Sequence, residues 1–379
     1  MTKGEDKMAL KTYTLDEIEE IKVLGRTTKN RAPLTLFWTA SGIECNIKAS
    51  ELWIEIEVDY ELYEPWMSIV VNGEYVSRIM LEKGKRWICL FRGMNSEVIK
   101  NIKVLKEVQA MPSDEKHCLQ IHSMKTDGQF LPVEEKPYKI EFIGDSITSG
   151  EGSIGAKVEE DWISMWFSTQ NNYARMVADA LNADYRIISQ SGWGVYTSWD
   201  NNPKAALPLY YEQVCGVLSG EKNKALGAHE ENDFKAWQPD VVIINLGTND
   251  GGAFNSPEWK NLENGEIHKQ RLNEDGTYNQ EDLMHFKEAV VNFLQKLRSY
   301  NTKAKLLWVY GMLGTPMLEA IKESIERYKV QSGDIGIELL VLPDTTDETV
   351  GARQHPGILA HHLAAQIITK WLRKMLASI

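Results

Sequence analysis

From about residue 12 to residue 137, apolar positions come in short runs broken by turn-forming residues. The runs are 34–38 (LTLFW), 43–49 (IECNIKA), 51–58 (ELWIEIEV), 67–71 (MSIVV), 78–82 and 86–91 (RWICLF). They are rich in β-branched and aromatic residues and partly alternate. Asn72-Gly73 and Lys83-Gly84 punctuate them as hairpin turns do, and no window shows helical periodicity. This pattern predicts an all-β sandwich of jelly-roll type.

Pro132 and Pro137, with Glu134, Glu135 and Lys136 between them, read as a linker, and the rhythm then changes. Near-continuous apolar strands at 139–143, 185–189, 241–246, 305–310 and 337–342 alternate with helical patterns at 172–181, 204–217, 281–298, 316–330 and 356–376. Strands of this kind are buried on both faces, which predicts a three-layer α/β/α domain of five parallel strands in the flavodoxin-like order 2-1-3-4-5. The expected partition is therefore a β-sandwich over residues 1–136 and an α/β domain over 137–379. Segments 151–170 and 251–280 exceed the minimal unit and follow strand ends. They are candidates for pocket walls or for a subunit contact, which leaves a homo-oligomer open.

Composition narrows the partners. The 379 residues are 43% hydrophobic and 25% charged, as in a globular protein with a full core. The net charge of -12, from 54 acidic and 42 basic residues, argues against nucleic acid or an anionic membrane as partner. Cys45, Cys89, Cys118 and Cys215 are scattered without metal-ligand spacing and read as reduced, mostly buried thiols, so no metal is expected. The first residues hold no apolar run like a signal peptide, and no segment reaches the length of a membrane span. The expectation is a cytoplasmic protein, or a secreted one if a leader has been removed.

The candidate chemistry lies at the strand ends. Strand 139–143 runs into Gly144-Asp145-Ser146; taken alone, this serine serves equally well as a helix cap. Three other blocks fall at the same carboxyl edge: Ser191-Gly192-Trp193-Gly194, Gly247-Thr248-Asn249-Asp250 and His355-Pro356-Gly357. Together they supply what acyl transfer requires, a nucleophile deprotonated as it attacks and fixed donors for the oxyanion. Ser146 is the expected nucleophile and His355 the base. The oxyanion donors are the main-chain N–H groups of Ser146 and Gly194 and the side-chain amide of Asn249, which donates without ionising.

The set GDSIT, SGWG, GTND and HP resembles the SGNH, or GDSL-like, hydrolases. The β-rich first part, with the phrases IEFIGDSITSGEG and WQPDVVIINLGTND, resembles carbohydrate esterase family 2 most. That resemblance covers nearly the whole chain. It implies a cofactor-free serine esterase that removes O-acetyl groups from sugars or oligosaccharides, for example xylo-oligosaccharides. Its spacing favours Gly194 as the oxyanion glycine, with Gly192 in reserve. The sequence departs from the pattern at one position: where most such enzymes carry an aspartate three residues before the histidine, Ala352 stands. A main-chain carbonyl is the first choice for orienting His355, because the task needs an acceptor more than a charge; Asp344, Asp347 and Glu348 are the alternatives.

Several other residues have blander readings. His361 and His362 read as interfacial or surface groups and not ligands, and Asp145 and Asp250 as turn-formers or hydrogen-bonders beside the site. Trp193 is the first candidate for a substrate pocket, ahead of Trp162, Trp166 and Trp199. Trp53, Trp66 and Trp87 read as core more readily than as sugar platforms. Two other functions compete: a lipase or thioesterase for longer acyl chains, and a non-catalytic carbohydrate-binding protein.

Overall fold

A computed structural model describes residues 9–376. The chain forms two compact units. One comprises the chain up to Glu135 together with Val214–Glu230; the other comprises Lys136–Gln213 and the chain from Glu231 onward.

The first unit is all β. Lys11–Thr14, Cys118–Thr126, Glu51–Asp59 and Gly84–Arg92 form one antiparallel sheet, with Leu34–Thr35 paired to Cys118–Thr126. Gln129–Leu131, Gly42–Lys48, Ile99–Lys106, Trp66–Val71 and Glu74–Met80 form a second, with Lys22–Leu24 paired to Gly42–Lys48. Both contribute to one core, in which Leu52, Ile54, Ile56 and Ile121 meet Ile43, Cys45, Ile102 and Val104. In Glu51–Asp59 the alternation is clean, with Leu52, Ile54, Ile56 and Val58 buried and Trp53, Glu55 and Glu57 facing outward.

Two central strands, Ile99–Lys106 and Cys118–Thr126, carry no such clear signal. In the first, Lys100 and Lys106 take buried positions. Lys106 Nζ donates to the carbonyls of Phe37 at 2.8 Å and Gln109 at 2.7 Å, and burial pushes its ammonium down to about 7. In the second, buried Gln120 donates to Thr35, and the register shifts between Ile121 and Ser123. Asn72-Gly73 is the predicted hairpin turn, both residues having positive φ and joining Val71 to Glu74. Lys83-Gly84 is not a hairpin. Glu74–Met80 and Gly84–Arg92 belong to different sheets, so this turn carries the chain from one sheet to the other. Trp53, Trp66 and Trp87 have their faces covered by cations: Arg78 lies 4.0 Å over Trp66, while Lys125 lies 4.9 Å over Trp53 and 4.3 Å over Trp87.

In the second unit, β1 (Tyr138–Gly144), β2 (Ala183–Ser189), β3 (Val241–Asn245), β4 (Lys305–Tyr310) and β5 (Ile337–Val341) form a parallel sheet in the order β2-β1-β3-β4-β5. All of β3 is buried, as a strand covered on both faces must be. Helix α1 (Tyr173–Ala180) packs with α4 (Ile358–Leu376), and α2 (Gln280–Tyr300) with α3 (Leu318–Ser332). Right-handed crossovers place these two pairs on opposite faces. The strand order reverses beside β1, so the crevice beyond the carboxyl ends of β1 and β3 is where such a sheet receives a ligand.

The helix predicted at 204–217 is absent. Only a 3-10 turn, Leu207–Leu209, forms, because Pro208 removes a helical donor and its ring blocks the preceding turn. From Val214 the chain enters the first unit, where the Trp38 indole donates to the Val214 carbonyl at 2.7 Å and Lys222 pairs with Asp59 at 2.6 Å. The expected partition gave this stretch to the α/β domain. No helix among the described residues is long and apolar enough to cross a membrane.

Candidate active site

Strand β1 delivers Asp145 and Ser146 into a single helical turn, Ser146–Ser149. Asp145 caps it by accepting the Ile147 N–H at 3.0 Å, and Gly150 ends it. Ser146 is the first residue of that turn. Its Oγ lies 2.9 Å from His355 Nε2, and His355 Nδ1 lies 2.7 Å from the main-chain carbonyl of Arg353. A carbonyl only accepts, so the neutral ring carries its proton on Nδ1 and presents the Nε2 lone pair to the serine.

Asp344, Asp347 and Glu348 make no hydrogen bond to that ring. Asp344 accepts the N–H groups of Gly314 and Thr345, while Asp347, with its side chain 97% exposed, pairs with Lys157 at 2.9 Å.

The loop that presents His355 has an unusual backbone. Arg353 and Gln354 both adopt left-handed conformations, with φ 56° and 55°. Each costs about 1–2 kcal/mol for a non-glycine residue. Segment 151–160 holds this arrangement in place. Arg353 N–H donates to the Glu159 carbonyl at 2.7 Å, its Nη1 to the Glu160 carbonyl at 2.7 Å and its Nε to Glu151 Oε1 at 2.9 Å; Gln354 donates to Glu160 Oε1 at 2.7 Å. Ala352 N–H donates to the Gly152 carbonyl at 3.1 Å. Gly152 has φ 68°, and a Cβ there would collide with the Ala352 carbonyl and the His355 Cβ. Glu151 and Arg353 were not singled out in the sequence. The available signal was a glutamate inside the GDSITSGEG block, where a buried carboxylate needs a partner.

Asn249 lies in the short helix Thr248–Ala253 that follows β3. Its Nδ2 donates to the Trp193 carbonyl at 3.0 Å and reaches Asp145 Oδ2 at 3.3 Å. The first is a normal hydrogen bond and the second a long one. The amide thus sits between the serine block and the glycine block.

Gly194 does not join it there. In a trans peptide the N–H of Gly194 points opposite to the Trp193 carbonyl that meets Asn249, and Gly194 is instead bridged to Ala206. Why glycine stands at 194 is a matter of packing. Asp250 accepts the N–H groups of Val195, Tyr196 and Thr197 at 2.9, 2.8 and 3.1 Å, and a Cβ on Gly194 would collide with that carboxylate. Burial pushes Asp250 up to about 6. It pushes Asp145 up to about 7, with the charges of Asp250 and Glu151 adding to the effect.

Trp193 packs its ring on Tyr210, with centroids 5.5 Å apart, and Trp162 lies edge-on to Phe167. Trp199 is 55% exposed beside Gly192, whose carbonyl accepts its N–H at 3.0 Å. His362 is exposed, whereas His361, read as interfacial or surface, lies between helices. It is fully buried, stacks on Tyr173 and accepts the Tyr173 N–H through Nδ1 at 3.2 Å, satisfying a donor that the first turn of α1 cannot. Burial, with His355 and His362 nearby, holds it down at about 3. Among the described residues no cluster of His, Cys, Asp and Glu could hold a metal ion.

The chain resembles several known proteins. Residues 142–335 match the GDSL-like lipase/acylhydrolase family. The chain is 45% identical to an acetyl xylan esterase from the rumen bacterium Butyrivibrio proteoclasticus, with a TM-score of 0.95 covering 97% of this chain and 99% of that one. A family two carbohydrate esterase from Clostridium thermocellum, solved with cellohexaose, shares the fold at a TM-score of 0.77 and 22% identity, covering 95% of this chain and 100% of that one. An acetylxylan esterase / glucomannan deacetylase of Cellvibrio japonicus is 27% identical over 236 residues, so the match spans 61% of this chain and 61% of that protein. The family pattern begins inside β1 and extends past the end of α3, and it takes in Ser146 and Asn249; the chain belongs to the GDSL-like lipase/acylhydrolase family.

Proposed function

We propose that this protein is a serine esterase that removes O-acetyl groups from acetylated sugars or oligosaccharides. The observation that carries this reading is the relay from Ser146 Oγ through His355 to the Arg353 carbonyl, in a chain 45% identical to an acetyl xylan esterase. Ser146 Oγ attacks the acetyl carbonyl as His355 Nε2 takes its proton. The imidazolium keeps its Nδ1–H on the Arg353 carbonyl. The tetrahedral intermediate then collapses, the proton on Nε2 passes to the departing sugar oxygen, and the acetyl group stays on Ser146. Water, deprotonated by the same nitrogen, releases acetate and restores the serine.

Oxyanion stabilisation falls to the Ser146 N–H and the Asn249 amide, whose contact with Asp145 is long enough to be exchanged for a substrate oxygen. The glycine donor is read as Gly192, the reserve, a reading that the orientation of the 193–194 peptide supports over Gly194. Trp193 is read as a wall of the sugar pocket. The two antiparallel sheets around one core support a jelly-roll reading of the first unit. None of these steps calls for a cofactor.

Kinetics with an aryl acetate and acetate release from acetylated xylo-oligosaccharides test the assignment. Ser146→Ala and His355→Ala should each abolish both activities in a folded protein. Activity persisting in the serine variant, or an acyl-length optimum at eight carbons or more, overturns it.

A further inference from the structure

The site lacks the usual acid beside its histidine, yet a carboxylate is buried next to the ring on its other side. Glu151 Oε1 lies 3.8 Å from His355 Nε2 and 2.9 Å from Arg353 Nε, and Glu151 is 2% exposed. The turn that starts at Ser146 fixes its position, because the Glu151 N–H donates to the Ser146 carbonyl at 3.0 Å. The serine therefore starts the turn and the carboxylate follows directly after the glycine that ends it. Ala352, in the place of that acid, is fully buried beside Gly155.

We infer that Glu151 and Arg353 divide between them the two tasks of the absent aspartate. Arg353 supplies the acceptor for Nδ1 through its carbonyl, held in the left-handed conformation by its side-chain bond to Glu151. Glu151 supplies the negative charge that favours the imidazolium formed as Ser146 attacks. Both are positioning residues; neither exchanges a proton with substrate. The inference rests on the Ser146–His355 reading of the site.

Other charges around the ring leave this role to Glu151. Asp145 is turned to Ile147 and Asn249, Glu160 is engaged by Gln354, and Asp347 is matched by Lys157 at the surface. His361, from α4, is neutral above about pH 3. Arg353 is the cation paired with Glu151.

The test is the pH dependence of kcat/KM for a short aryl acetate, measured for the wild type, Ser146→Ala, Glu151→Gln, Arg353→Gln and the Glu151→Gln/Arg353→Gln double variant, with folding checked by thermal melts. The base must be neutral to act, so removing a neighbouring carboxylate moves the ascending limb to lower pH, and removing a neighbouring guanidinium moves it to higher pH. Glu151→Gln should lower the plateau of kcat about tenfold or more and shift the limb down, with KM changed less than about threefold. Arg353→Gln should lower the plateau and shift the limb up. The double variant should bring the limb back towards the wild-type position while its plateau stays low. A merely structural contact would reduce the plateau without moving the limb. Unmoved limbs, limbs moving the same way in both single variants, or wild-type plateaus overturn the inference and leave the serine mechanism standing. Activity in Ser146→Ala overturns both.

Discussion

The amide of Asn249 is fastened to the main chain of Trp193: Nδ2 donates to the carbonyl at 3.0 Å, which fixes the orientation of the side chain beside Asp145. A donor is thus fixed before substrate arrives, and fixed donors are worth most where charge develops in the transition state. Asn249→Ala should lower kcat for an aryl acetate by about two to three orders of magnitude, with a much smaller change in KM. Steady-state kinetics decide this, and an equal change in the two constants would point to a role in ground-state binding.

The carboxylates nearest in sequence to His355 should be dispensable. Asp347 is exposed and paired with Lys157, and Asp344 is committed to two main-chain donors. Asp344→Ala, Asp347→Ala and Glu348→Ala should each keep kcat/KM within about threefold of the wild type, since an exposed pair of this kind contributes only about 0–1 kcal/mol. A hundredfold loss in any of them would show that a carboxylate reaches the ring during turnover.

His361 predicts a pH dependence of stability. Its folded pKa, about 3, lies below the ordinary value of 6.5. Between those values the unfolded chain binds a proton that the native protein does not, so this group adds stability as pH rises through the window and withdraws it as pH falls. The limiting slope is about 1.4 kcal/mol per pH unit. Asp145 and Asp250, raised to about 7 and about 6, act in the opposite direction, their contribution falling as pH rises from about 4. Comparing the wild type with His361→Asn cancels those two. Denaturant midpoints at fixed pH should show the stability advantage of the wild type shrinking from pH 6.5 to pH 4; an advantage independent of pH would rule the linkage out.

The parallel sheet was legible because burial on both faces writes itself as uninterrupted apolar runs such as the VVIIN of β3. Ser146 and Asn249 were legible because they stand where such runs stop. What the sequence conceals is hydrogen bonding to the main chain. Lys106 looks like a surface residue, yet it is buried because two carbonyls receive its ammonium. Gly194 looks like a donor to the oxyanion, yet its glycine character answers to the Asp250 carboxylate, and its N–H follows from the orientation of one peptide. The acceptor on His355 belongs to the backbone of Arg353, whose side chain says nothing about where its carbonyl points.

The excursion at Val214–Glu230 has a consequence for synthesis. A ribosome completes the first unit only after about 230 residues have emerged, because Trp38 waits for the Val214 carbonyl and Asp59 for Lys222. By then β1, β2 and Ser146 have already been made. A gene fragment ending at Glu135 therefore encodes an unfinished β unit, and one starting at Lys136 carries a piece of that unit, with the buried Cys215, that has nowhere to fold.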